Sequence, residues 1–177
     1  MSLTAHCDTR RTSEEAIIAV PEPQWTETWH PISHARCLNV LSTITSQFGL
    51  DVVKKEYSLS KDGFKCFGSW VIENGTGNEE INQSLVFRNS INKEFAFGIA
   101  AGSHAWACDN LAFTGEFVEF RRHTSGMDDL ELTRVVNDGM EIILPRMKSF
   151  QDWHQNLHEV KFTEPKMKEL CYEAVVS

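Results

Sequence analysis

The chain has 177 residues, with 17 Lys and Arg against 25 Asp and Glu, a formal charge of −8. A chain of this length makes one domain of ordinary size, and 41% hydrophobic with 24% charged residues is a globular composition, which excludes a mainly disordered protein. No stretch approaches the roughly 20 apolar residues of a membrane span, and Asp8, Arg10, Arg11, Glu14 and Glu15 interrupt the region where a secretory signal would need an apolar run, so a cytoplasmic, membrane-free protein is expected.

The acidic balance repels phosphate at long range and disfavours sequence-blind coating of DNA, although a local basic patch can outweigh it. Cys7, Cys37, Cys66, Cys108 and Cys171 are odd in number and widely spaced. They form no CxxC pair and read as reduced, mostly buried thiols. The sequons at Asn74 and Asn82 carry no weight without export.

Residues 1–22 read as a flexible tail, followed by a single α+β domain over 23–177. Pro21 and Pro23 set an extended entry, and Trp25 and Trp29 are expected to pin it to the body. Ser33 is a good N-cap for a helix reaching about Phe48, with Leu38, Leu41, Ile44 and Phe48 on one stripe and Gly49 as its stop. The period then changes to two. Val53, Lys55, Tyr57 and Leu59 share one face of a strand, and Asp62-Gly63 signals a hairpin. In the returning strand Phe64, Cys66, Trp70 and Ile72 oppose Phe67 and Val71, a two-sided apolarity that suits a strand covered on both faces.

A second hairpin enters at Leu85-Val86-Phe87, turns at about 89–92 and returns at Phe95–Ile99. Residues 104–113 and 115–122 read as further extended segments. Asp128, with Glu131 three residues on, opens a long helix. Val136, Met140, Ile143, Met147, Phe150, His154 and Leu157 form its heptad-like seam, with Pro145 expected to kink it near Ile142 and the 136–157 stretch available for a homo-oligomer. Pro165 opens a last short helix. Segregated helices and hairpins of this kind argue for α+β: a mostly antiparallel sheet of five or six strands with an N-terminal helix and C-terminal helices packed on it.

Four segments, from about residue 25 onward, resemble the uncharacterised phage/plasmid-like protein family, a domain of unknown function carried by phages, plasmids and bacteria. Trp29-His30-Pro31-Ile32-Ser33-His34-Ala35 resembles its aromatic-x-Pro-x-Ser-His segment, and Tyr57 to Gly63 with Phe67 resembles its Asp-Gly hairpin. Arg88-Asn89-Ser90 resembles its Arg-Asn-Ser segment. Cys108 to Phe113, followed by Arg122-His123-Thr124, resembles its Cys-x-Asn and His-Thr elements. The family's Trp-rich C-terminal segment has no counterpart before Ser177. The resemblance implies a mobile-element origin and a bacterial host cell, and supplies no activity.

The candidate site residues are Arg88, Asn89, Ser90, Asp109, Asn110, Arg122 and His123, all at expected strand ends or turns. As scaffold, such Asn and Ser side chains bond neighbouring backbone. As a site, Arg forks onto phosphate or carboxylate while Asn orients the ligand. Lys54, Lys55, Lys65 and Arg121, with Phe64, Phe67, Trp70 and Phe120 nearby, offer a surface for single-stranded nucleic acid, against the plain reading of charged outer faces on alternating strands. His154 and His158 share a helix face without an HExxH motif, and Cys108 with His104 or His123 lacks any hydrolase signature; no catalytic residue, metal or cofactor is expected. The leading reading is a non-catalytic accessory protein that binds a macromolecule, with nucleic acid in replication or recombination favoured. The alternatives are an acidic inhibitor that binds a host defence protein, and a cysteine- or metal-dependent enzyme.

Overall fold

The computed structural model describes residues 3–4, 9–73, 83–102, 106–108, 113–114, 117–159, 161 and 163–176. In chain order the elements are β1 (Leu3–Thr4), β2 (Thr9–Thr12), α1 (Glu14–Ile18), α2 (His34–Gln47), β3 (Val52–Ser60), β4 (Lys65–Ile72), β5 (Gln83–Ser90), β6 (Phe97–Gly102), β7 (Trp106–Cys108), β8 (Phe113–Thr114), β9 (Phe117–Arg121), α3 (Asp129–Glu159) and α4 (Glu164–Val176). Six strands form an antiparallel sheet in the order β2-β3-β4-β5-β6-β9, and β1-β7-β8 form a second, smaller sheet. The architecture is α+β.

Local chemistry sets the boundaries. Ser33 Oγ accepts from the Arg36 amide at 3.3 Å and caps α2, and Gly49, at φ +66, ends it with its amide on the Ser46 carbonyl. At Asp62-Gly63 the Gly63 amide bonds the Ser60 carbonyl and Gly63 takes φ +76, a left-handed conformation that glycine adopts without steric cost in the four-residue loop between β3 and β4. Asp128 Oδ1 accepts from the Glu131 amide at 2.8 Å to cap α3. The Glu131 carboxylate does not close a capping box; it pairs with Arg134 and Arg121 instead. Helical structure continues through Pro145, with no break near Ile142.

The register explains the layers. The rows Tyr57–Gly68–Phe87–Ile99 and Trp70–Leu85–Ala101 share one core cluster with Cys37, Leu38, Leu41 and Ile44 of α2 and with Leu132, Val136, Met140 and Ile143 of α3. Each large apolar side chain buried there contributes about 1.5–3 kcal/mol. On the opposite pleat, Ser58, Phe67, Ser69, Val86 and Ala100 are also buried. β7 lies against β4 and β5, and β1 against β3 and β4, so the central strands are covered on both faces. Small residues at 58, 69 and 100 let the second sheet approach.

Further expectations change. The 1–22 stretch is no free tail: Thr9–Thr12 form β2, paired with β3, and Glu14–Ile18 form α1, whose Ile17 is fully buried in the core. Phe64 precedes β4 and is exposed, outside the face of Cys66, Trp70 and Ile72. Val53 does not share the face of Tyr57 and Leu59: the register shifts between Val52 and Lys54, so Val52 turns inward and Val53 is exposed. Trp25 is exposed and stacks on His30, with ring centroids 4.7 Å apart, and is not driven into the body.

The chain divides into two compact units, Met1–Met147 and Lys148–Ser177. Val136, Met140 and Ile143 of the α3 seam belong to the core of the first, which leaves them no free surface for an oligomer contact. The side chains of Met147, Phe150, His154 and Leu157 lie outside the described residues. No helix among the described residues is long and apolar enough to cross a membrane.

Candidate functional site

β5 carries the Arg-Asn-Ser segment, and the pleat sends Arg88 and Asn89 to opposite faces. Arg88 lies in the row Phe67–Arg88–Gly98–Phe120. Gly98 has no side chain to block it, and the guanidinium reaches across to the Phe120 ring, 4.7 Å from its centroid. Phe95, from the β5–β6 connection, closes the other side at 4.9 Å. The half-buried Arg88 is thus held between two aromatic rings. Burial draws its pKa down somewhat, and it remains a cation.

This sandwich forms one wall of a cleft of about 660 Å³. Trp29, Lys93, Glu94, Arg122 and His123 also line it. Lys93 Nζ sits 4.7 Å above the Trp29 ring, and Glu94 pairs with Lys65 at 3.2 Å. Among the described residues, three cations and three aromatic rings therefore meet one carboxylate, in a chain whose net charge is −8.

Asn89 faces the helical side and joins a buried network. Its Nδ2 donates to the Ile32 carbonyl at 2.9 Å and to His34 Nδ1 at 3.0 Å. Because His34 Nδ1 accepts, Nε2 carries the proton and donates to the Gly63 carbonyl at 3.1 Å. The Ile32 amide donates to His123 Nδ1 at 3.0 Å. Both backbone groups of Ile32 are thus gripped by side chains distant in sequence. Burial pushes His34 and His123 each down to about 4, against the pull of the Gly63 carbonyl on the former and the His30 backbone on the latter. Protonation would also set a new N–H of His34 against the Asn89 amide, and one of His123 against the Ile32 amide.

Of the candidates read from the sequence, Arg88, Arg122 and His123 meet at the cleft, and Asn89 supports it from behind. Ser90 is buried and donates to Asn92 Oδ1 at 2.6 Å, a turn-stabilising role. Asp109 and Asn110 lie outside the described residues.

Lys54, Lys55, Lys65 and Arg121 do not form one surface. Lys54 and Lys65 project from one pleat and Lys55 and Arg121 from the other, and the register sets Lys54 against Val71, six residues or roughly 20 Å along β4 from Lys65. Each is paired: Lys54 with Glu56, Lys55 with Glu14 and the Trp70 ring, Lys65 with Glu94, Arg121 with Glu131. Trp29, Lys93 and Phe95 were not among the expected site residues. The Trp-x-Pro segment marked Trp29, but nothing local ties it to the 88–95 turn.

Cys37 and Cys66 are core thiols whose pKa burial pushes up, the reverse of an activated nucleophile. His104 and the side chains of Cys108, His154 and His158 lie outside the described residues. Among the described residues no group of three His, Cys, Asp or Glu is placed to hold a metal. No protein-family model, curated protein or solved structure matches the chain.

Proposed function

We propose that the protein is a non-catalytic binder of single-stranded nucleic acid, working in replication or recombination of the mobile element whose origin the family resemblance implies. One observation carries this reading: the Arg88 guanidinium, fixed between Phe95 and Phe120, opens on the same cleft as Trp29, Lys93 and Arg122. A planar cation held rigid suits a phosphate fork, and aromatic rings lining the cleft suit bases that are not paired. The acidic remainder of the surface restricts binding to this cleft and makes it salt-sensitive.

The inhibitor reading rests on the charge of −8, and Glu14, Glu22, Glu56, Glu94 and Glu131 are all held in ion pairs. Fluorescence anisotropy with a labelled oligothymidylate and a matched duplex tests the proposal. Single-strand binding at micromolar protein and low salt, weaker for duplex, is the expected result. Arg122→Ala should weaken binding severalfold and flatten the slope of log affinity on log salt by about 0.7. Absence of binding at low salt removes the proposal.

A further inference from the structure

Resting on the single-strand reading above, we infer that Trp29 is the platform for one unpaired base and that Lys93 is its displaceable cap. The platform is rigid. Thr26 and Trp29 exchange both backbone hydrogen bonds, at 3.0 and 3.3 Å, and Ile32, three residues on, is clamped by Asn89 and His123. The cap is loose. Lys93 is exposed, and its ammonium touches the Trp29 ring from a residue at φ +70, a left-handed backbone conformation costly for a side chain of this kind.

An exposed ammonium on a ring face is a weaker contact than a stacked base, so exchange of one for the other is favourable. The displaced ammonium stays beside the cleft, where the phosphate of the stacked nucleotide is its natural partner. Arg88 cannot exchange in this way, because two rings hold it. The two cations therefore divide the work: Arg88 is a fixed phosphate fork and Lys93 a gate over the base site. A cleft of about 660 Å³ is in the range of small-ligand pockets, which suits an unstacked nucleotide and not a duplex.

The test uses the full chain and three probes in low salt: oligothymidylate, an abasic strand of equal length, and a strand carrying 2-aminopurine. Oligothymidylate should bind about tenfold more tightly than the abasic strand, and 2-aminopurine fluorescence should be quenched on binding. Trp29→Ala should lower oligothymidylate to the abasic level and leave abasic binding unchanged. Lys93→Ala should weaken oligothymidylate, whose base frees the ammonium for phosphate, more than the abasic strand, on which the ammonium stays over the ring. Equal binding of thymidylate and abasic strands, or no quenching with the unmodified protein, overturns the base platform while leaving strand binding intact. Failure of every strand to bind overturns the proposed function itself.

Discussion

Gly68 on β4 stands opposite Phe87 on β5, and the Phe87 ring lies over it so closely that a β-carbon at 68 would fall 2.1 Å from the ring's Cε1. The missing side chain is what lets Phe87 reach Tyr57 and Trp70 edge-on, at centroid distances of 6.3 and 6.0 Å. This contact holds the middle of the sheet whose far end carries the cleft.

Gly68→Ala should therefore lower unfolding free energy by about 1–3 kcal/mol, the range of overpacking in a tight core. Urea denaturation should show a lower midpoint with an unchanged slope. Adding Phe87→Leu should recover part of the loss; strictly additive effects of the two changes would mean the ring is not what the methyl meets.

Asn89→Ala removes the donor shared by the Ile32 carbonyl and His34 Nδ1, leaving two buried acceptors unpaired. A loss of about 2–4 kcal/mol is expected at the cost of each unsatisfied group. The same urea experiment checks it, and a change under about 0.5 kcal/mol would show that Asn89 does not clamp this segment.

Acid should weaken the fold earlier than carboxylate titration can. His34 and His123 sit at about 4 when folded, against 6.5 for the free side chain. Between those values the unfolded chain binds more protons than the folded one. Stability is thus complete above pH 6.5 and falls as pH drops towards 4, by up to about 3 kcal/mol per imidazole over the whole interval. Asp62, held low by its Ser60 hydrogen bond, and Glu131, held low by Arg134, contribute only below their ordinary range. Urea midpoints should decline from pH 7 to 5. They should decline less in His123→Asn, whose carboxamide oxygen can replace Nδ1 as acceptor for the Ile32 amide. A flat profile over that window would contradict the buried neutral state of both rings.

Elements whose signals are local were legible in the sequence. The Ser33 cap, the Gly49 stop, the Asp62-Gly63 turn and the Asp128 cap each involve groups within about five residues, so residue type and spacing suffice. The strand over 9–12 was missed because Thr-Arg-Arg-Thr has no apolar alternation; the unpaired edge of β3 recruits it, and the burial of Ile17 holds the segment beside it. The bulge at Val53 was missed because pattern reading assumes an unbroken period of two.

For the site, the sequence by itself marked Arg88, Asn89, Arg122 and His123 as polar residues at strand ends and turns, whereas β5 runs on through Ser90 and its pleat sends Arg88 and Asn89 to opposite faces. Only tertiary structure decided that Arg88 crosses the bare backbone of Gly98 to reach Phe120, that Trp29 and Lys93 meet beside it, and that four further cations are paired with acids on separate faces. The physical reason is range. Caps and turns are set by neighbours in the chain, whereas a cleft is made by pairing register and packing between segments up to ninety residues apart, as when His123 takes the amide of Ile32.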